Sequence, residues 1–151
     1  MPKSIELSDE QYRTLIELVY LGSWIANATK LSEEEMNQDY IKLEQLLYKQ
    51  SKMFKSEDII ALDKRTNSYY TTSFFEDGMM PVVEQYDDDS FWEELSSRLA
   101  KRDLLKETGP VHKWSEKQLS RKYELEEYYE QEFTENGLRN LVLKKERGAI
   151  S

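Results

Sequence analysis

The sequence predicts a mainly α fold with about four principal helices and a small β-hairpin or β-sheet element. Two observations predict it. Ser-x-x-Gln and Ser-x-x-Glu patterns, which form reciprocal hydrogen bonds at helix N-termini, precede stretches with apolar residues at helical spacing. By contrast, residues 59–75 are rich in isoleucine, tyrosine, threonine and phenylalanine, which strands favour. An α+β fold, with residues 59–75 and 138–143 both contributing strands, is the alternative.

The first two helices are predicted from capping boxes at Ser8 and Ser32, paired with Gln11 and Glu35 three residues later. The second helix carries a one-sided apolar stripe and is expected to end near Lys55. Because only a short loop separates the two helices, we expect them to pack antiparallel.

The first helix also predicts self-association. Past Leu18 its apolar side chains point in nearly every direction, and a helix of that kind lies either inside a core or in a subunit interface. Gly22 would allow a neighbouring helix to approach closely. We therefore expect a homodimer or another homo-oligomer, with the following residues at its interface: Leu21, Trp24 and Ile25.

The middle of the chain predicts a hairpin, a break and then a third helix. Residues 59–62 and 68–75 are the two β-prone runs, and a helical turn at 57–62 is the alternative to the first of them. Gly78 and Pro81 interrupt the pattern that follows. The third helix is predicted from Tyr86 to about Leu104.

A fourth helix is predicted to begin after Ser115, which would form a capping box with Gln118. It is expected to end at Gly137, where a left-handed backbone conformation closes many helices. Residues 144–151 are interpreted as a frayed basic tail. Since a chain of 151 residues without internal repeats fits one folding unit, we expect residues 1–151 to form a single domain.

Composition excludes several classes of site and partner. The chain has no cysteine, which rules out disulfides and thiolate metal sites. Its N-terminus lacks the apolar core of a signal peptide, and its longest uncharged run is too short to cross a bilayer. We therefore expect a cytoplasmic protein without a membrane partner. The net charge of −9 argues against direct nucleic-acid binding, which requires clustered Lys and Arg.

The negative charge is concentrated in residues 66–97. No Lys or Arg occurs between Arg65 and Arg98, so this interval carries eight of the nine net negative charges, and the rest of the chain has 22 acids against 21 bases. The same stretch is rich in aromatic residues. Its acids are Glu76, Asp77, Glu84, Asp87, Asp88, Asp89, Glu93 and Glu94.

The three consecutive aspartates at 87–89 are first interpreted as a helix start. Asp87 would be the N-cap, a role in which its side chain accepts a hydrogen bond from an unpaired backbone amide. The other two would then lie in the first turn, where the helix dipole favours negative charge. Ser90, paired with Glu93, is the alternative cap.

The leading functional hypothesis is a non-enzymatic interaction or regulatory module that binds another protein through residues 66–97. Aromatic side chains surrounded by carboxylates are suited to a partner with a basic surface. The residues expected to form this interaction face are Glu84, Tyr86, Asp87, Asp88, Asp89, Trp92 and Glu93.

Two alternatives use the same segment. One is a metal-dependent or carboxylate-based hydrolase, although a calcium loop starting at Asp87 would need Gly and Glu where Trp92 and Arg98 stand. The other is an acidic protein that mimics DNA and inhibits a DNA-binding protein. His112, the only histidine, is interpreted as a loop residue rather than a catalytic base. We predict no catalytic residue, no cofactor and no metal ligand.

Overall fold

The computed structural model describes Met1 and residues 3–144, and these form four α-helices with one small antiparallel sheet. The predicted mainly α fold with a small hairpin is therefore confirmed. In chain order the elements are α1 (Asp9–Asn27), a one-turn 3-10 helix (Glu33–Glu35), α2 (Gln38–Tyr48), β1 (Ile60–Asp63), β2 (Ser68–Thr71), α3 (Ser73–Thr108) and α4 (Glu116–Asn136).

The described residues pack as two compact units. Unit 1 extends from Met1 to Glu84, and unit 2 begins at Gln85, so helix α3 contributes to both. A single folding domain stays a prediction. The predicted basic tail lies outside the described residues except for Lys144, which is not in a helix or strand.

The core of unit 1 is built around α1. Ile16 is completely buried, and the hydroxyl of Tyr12 donates a 2.7 Å hydrogen bond to the carbonyl oxygen of Leu47 in α2. Burial raises the pKa of Tyr12 to about 12. At the other end of α1, the side-chain oxygen of Asn27 accepts a hydrogen bond from the amide of Asn37 at 2.8 Å. Because these two contacts join opposite ends of the helices, they confirm the predicted antiparallel packing of α1 and α2.

One side chain of α2, that of Gln45, forms hydrogen bonds to the hairpin. Leu62 of β1 faces Tyr69 of β2, and the amide and carbonyl of Tyr69 are directed away from β1. The Gln45 side chain forms a hydrogen bond with each group: its oxygen accepts from the Tyr69 amide at 2.8 Å, and its nitrogen donates to the Tyr69 carbonyl at 2.7 Å. An exposed strand edge is thereby paired, as stable sheets require.

The predicted start of the second helix is wrong. The Ser32 side chain forms no capping hydrogen bond, and only the 3-10 helix follows it. Asn37 caps α2 instead, because its side-chain oxygen accepts hydrogen bonds from the amides of Asp39 and Tyr40 at 3.1 and 3.2 Å. The helix then ends at Tyr48, before its predicted end.

The predicted start of the third helix is also wrong, since α3 begins at Ser73 and includes Gly78 and Pro81. The Thr72 hydroxyl accepts a hydrogen bond from the amide of Phe75 at 3.4 Å, in the position of an N-cap. The physical reason for the long helix is burial. Phe75 and, at helical spacing, Met79 and Val83 are all less than 10% exposed, which offsets the unfavourable propensities of glycine and proline.

Unit 2 is a pair of helices joined by a loop. Its buried residues are Ser96, Ala100, Leu104 and Phe133. The predicted capping box at Ser115 and Gln118 is confirmed by reciprocal hydrogen bonds of 2.9 and 3.3 Å. Gly137 ends α4 as predicted and has a positive φ of +55°, but its ψ of −136° lies outside the left-handed helical region that was expected. Residues 138–143 form turns and irregular backbone, so the additional strand of the α+β alternative is absent there.

Candidate functional site: the acidic segment of helix α3

The aspartates at 87–89 lie in the interior of α3, about four turns after its start at Ser73. Their predicted role as a helix start is therefore wrong, and so is the alternative cap at Ser90. The amides that such caps would satisfy lie in the helix interior, where each already donates to the carbonyl oxygen four residues earlier. The sequence suggested a start here because a capping pattern and an interior acidic run contain the same residue types.

An interior position makes these aspartates unfavourable for the helix. Aspartate has a low helix propensity, and like charges close together on a helix repel one another. The charges also lie too far from the N-terminus to be stabilised by the helix dipole, whose effect is confined to the first turn. Helix formation therefore does not account for the three consecutive aspartates.

The local contacts of this segment neutralise little of its charge. Asp88 accepts a 3.1 Å hydrogen bond from the indole nitrogen of Trp92, and Asp89 accepts one of 2.9 Å from the Gln85 side chain. Within the described structure, Glu94 is the only acid of residues 85–94 that forms an ion pair, with Arg98 at 2.8 Å. Residues 86–93, which we call the acidic segment of α3, therefore present carboxylates without cationic partners.

Most of the predicted interaction residues share this segment. Tyr86, Asp87, Asp88, Asp89, Trp92 and Glu93 all belong to it, whereas Glu84 is the last residue of unit 1. Tyr86 is 56% exposed and Phe91 47% exposed, so the segment combines accessible aromatic rings with accessible carboxylates. Trp92 is only partly available, because its ring packs against Phe133 with centroids 5.5 Å apart.

Replacing all three aspartates with alanine is expected to stabilise the protein. Alanine exceeds aspartate in helix propensity by up to about 0.7 kcal/mol per residue, so the net gain should be roughly 1–2 kcal/mol after the loss of two exposed hydrogen bonds. Urea denaturation followed by circular dichroism would measure it. The matched control is Asp9→Ala at the true start of α1, which should instead lose about 0.3–1 kcal/mol. A triple mutant that is destabilised would contradict the interior placement.

A groove runs between α3 and α4 next to the acidic segment and has a volume of about 440 Å³. The residues that line it are Trp92, Glu93, Ser96, Glu130, Phe133 and Thr134. The interaction face predicted from the sequence included Trp92 and Glu93, but the prediction missed Ser96 and Glu130. No local pattern marks these two residues, because only the pairing of the two helices places them in the same groove.

Polar contacts farther along the helix pair hold α3 and α4 together. Asp103 accepts hydrogen bonds from Arg102, Lys106 and the Tyr129 hydroxyl, and Arg102 leads the effects that hold the pKa of Asp103 well below its usual range. Burial opposes ionisation of Glu126, but hydrogen bonds from Lys122 and Ser97 outweigh it and lower its pKa. These acids are engaged in helix packing, in contrast to those of the acidic segment.

The residues predicted for self-association have three different environments. Leu21 packs partly against the core of unit 1, Trp24 lines a groove beside α2, and Ile25 is 57% exposed. Gly22 is exposed, and apart from its two chain neighbours and the backbone of its own helix, no described atom lies within 4 Å of the position its Cβ would occupy. The predicted close approach at Gly22 is thus not seen within the described chain, and self-association stays a prediction.

The remaining candidate chemistry is not assembled in the described part of the chain. His112 is exposed in the loop between α3 and α4, away from any hydrogen bond to an acid. Across Met1 and residues 3–144, no three His, Asp or Glu side chains come close enough to hold a metal ion together. Nor does any helix in this range combine the length and apolarity required to cross a bilayer.

Comparisons with known proteins do not indicate a function for this chain. It matches no protein family model, no curated protein sequence and no solved structure.

Proposed function

We propose that this protein is a non-catalytic interaction module that binds a partner protein through the acidic segment of α3. The observation that carries the proposal is an exposed, unneutralised run of aspartates in a helix interior, where it is unfavourable for the helix. A feature that costs stability without an evident structural purpose is a candidate for function.

The chemistry of the segment favours a basic partner. Carboxylates on an exposed helix attract Lys and Arg side chains and accelerate association at low ionic strength. Tyr86 and Phe91 add exposed aromatic area, and aromatic residues are enriched in protein interfaces. A surface with both features supports charge-assisted docking of a protein.

The test compares two variants of equal charge. Asp87, Asp88 and Asp89 are changed together to asparagine, which keeps side-chain size while removing charge. The control changes Glu33, Glu34 and Glu35 together to glutamine, since these exposed consecutive acids belong to unit 1. Each variant is immobilised beside the wild-type chain, and proteins retained from native cytoplasm at low salt are eluted with increasing salt.

A basic protein retained by the wild type and by the glutamine control, but not by the asparagine variant, is the expected result. Its affinity for the purified asparagine variant should fall by about threefold to 160-fold, because each exposed ion pair contributes about 0.2–1 kcal/mol and three are removed. Equal losses in both variants would overturn the proposal, since binding would then follow net charge rather than this segment. Release of the partner by duplex DNA would narrow its class to DNA-binding proteins.

A further inference from the structure

The groove between α3 and α4 has two carboxylates and no basic residue in its lining. Glu93 of α3 and Glu130 of α4 are both exposed, and neither forms an ion pair with a described residue. Two uncompensated acids on one groove favour a cationic occupant over a neutral or anionic one. Acids alone do not define a site, however, and the groove has a second feature.

That second feature is the hydroxyl of Ser96. Ser96 is 1% exposed, lines the groove, and its Oγ has no hydrogen-bond partner in the described structure. A hydroxyl within a helix usually bonds to the carbonyl four residues earlier, as Thr108 does to Leu104 at 3.0 Å and Thr134 to Glu130 at 2.7 Å. Because an unpaired buried hydroxyl is costly, Ser96 is a polar group in need of a ligand atom.

The aromatic side chains that line the groove indicate which type of cation fits it. The rings of Trp92 and Phe133 lie against each other with centroids 5.5 Å apart and an interplanar angle of 38°. Aromatic faces attract cations, and tryptophan does so most strongly. A guanidinium is planar, stacks on aromatic rings and presents five donors, so it can reach carboxylates and a hydroxyl together, whereas a compact ammonium group cannot stack.

From these observations we infer that the groove lined by Trp92, Glu93, Ser96, Glu130 and Phe133 binds an arginine side chain of the partner. The guanidinium stacks against the aromatic wall, pairs with the two glutamates and donates to the Ser96 hydroxyl. This inference rests on the proposed function, since it names the side chain by which a basic partner is recognised. Asp88 orients the Trp92 ring, because its carboxylate accepts a hydrogen bond from the indole nitrogen.

The indole N–H signals of the tryptophans allow binding in the groove to be measured. The chain has three of them, Trp24, Trp92 and Trp114, so its indole N–H groups give three nuclear magnetic resonance signals. The ¹⁵N-labelled full chain is titrated with the peptide acetyl-Gly-Gly-Arg-Gly-Gly-amide, and separately with peptides carrying lysine or neutral citrulline in place of arginine. The arginine peptide is expected to shift the Trp92 signal to saturation while the other two indole signals stay in place.

Two variants separate recognition from folding. Glu93→Gln with Glu130→Gln, and separately Ser96→Ala, should each weaken arginine-peptide binding about tenfold, because each removes a hydrogen bond to a charged group. Glu33→Gln with Glu34→Gln is the control of equal charge and should leave binding unchanged. Ser96→Ala should also keep or raise the melting temperature, since it removes an unsatisfied hydroxyl, and that result excludes a merely structural role.

Several outcomes would overturn the inference. These are equal shifts of all three indole signals, an equal response to the lysine or citrulline peptide, and unchanged binding by the Ser96→Ala chain. If the arginine peptide does not bind while the asparagine variant of residues 87–89 still loses its protein partner, the groove assignment fails and the proposed function stands. If the peptide binds in the groove but no basic protein depends on those aspartates, the proposed function fails instead.

Discussion

Replacing Phe133 with alanine is expected to lower the free energy of unfolding by about 3–5 kcal/mol, the usual cost of removing a buried phenylalanine. The Phe133 side chain is 8% exposed, and its ring packs against Trp92 and Tyr129 with centroids 5.5 and 5.9 Å apart. The other buried residues of unit 2 are few, namely Ser96, Ala100 and Leu104, so little can move in to fill the cavity.

Urea denaturation gives the free energy for this variant, and amide hydrogen exchange shows where the change occurs. Protection is expected to fall in α4 and in the part of α3 within unit 2. Tyr123→Ala is the matched control, because Tyr123 is an aromatic residue of the same helix that is 62% exposed, and it should change stability by less than about 1 kcal/mol. Similar costs for the two variants would contradict the burial of Phe133.

Replacing Ile16 with alanine is expected to destabilise unit 1 by about 2–5 kcal/mol. Ile16 has no exposed surface and belongs to the cluster that joins α1, α2, the hairpin and the start of α3. Tyr12, one turn earlier, is held by its hydrogen bond to Leu47 and its stack on Phe54, with ring centroids 4.3 Å apart. Since these neighbours are fixed, the cavity should remain open and the cost should be in the upper half of that range.

Leu18→Ala is the control for Ile16→Ala. Leu18 lies on the same helix but is 64% exposed, so its truncation should change the free energy of unfolding by less than about 0.5 kcal/mol. Hydrogen exchange should locate the loss caused by Ile16→Ala in α1 and α2. A large effect of Leu18→Ala would mean that this side chain is covered in solution, which is what self-association through α1 predicts.

Local capping chemistry was predictable only where nothing else competed. Ser8 and Ser115 form the capping boxes that their sequences indicate, since each precedes an amphipathic helix with no better cap nearby. Ser32 has the same pattern, but Asn37, five residues later, caps α2 instead. A capping pattern shows that a helix can begin there, and the packing of the helix decides whether it does.

The start of α3 shows that even strong local signals in the sequence can be overridden. Gly78 and Pro81 are strong signals for a break, and the aspartates at 87–89 are a strong signal for a start, yet the helix continues through all of them. The side chains of Phe75, Met79 and Val83 explain the difference, because helical spacing lets all three be buried. The propensity costs of Gly78 and Pro81, about 1 and 3 kcal/mol, are outweighed by the burial of three large apolar side chains at about 1.5–3 kcal/mol each.

The sequence likewise revealed one part of the candidate site, and only the tertiary structure revealed the other. The absence of any base between Arg65 and Arg98 is visible in the sequence, and it located the acidic segment before its conformation was known. Ser96 gave no such signal, because an unpaired hydroxyl is a property of its surroundings. The groove exists only because α4 places Glu130 and Phe133 beside α3.

Sequence by itself determined the class of the fold, the two capping boxes that formed and the concentration of negative charge, because composition and short-range hydrogen bonding depend on nearby residues. The tertiary structure decided where α2 and α3 begin, which aromatic residues remain exposed and which polar groups share a groove. Those outcomes depend on the burial of side chains distant in the chain, and burial outweighs local preference wherever the two conflict.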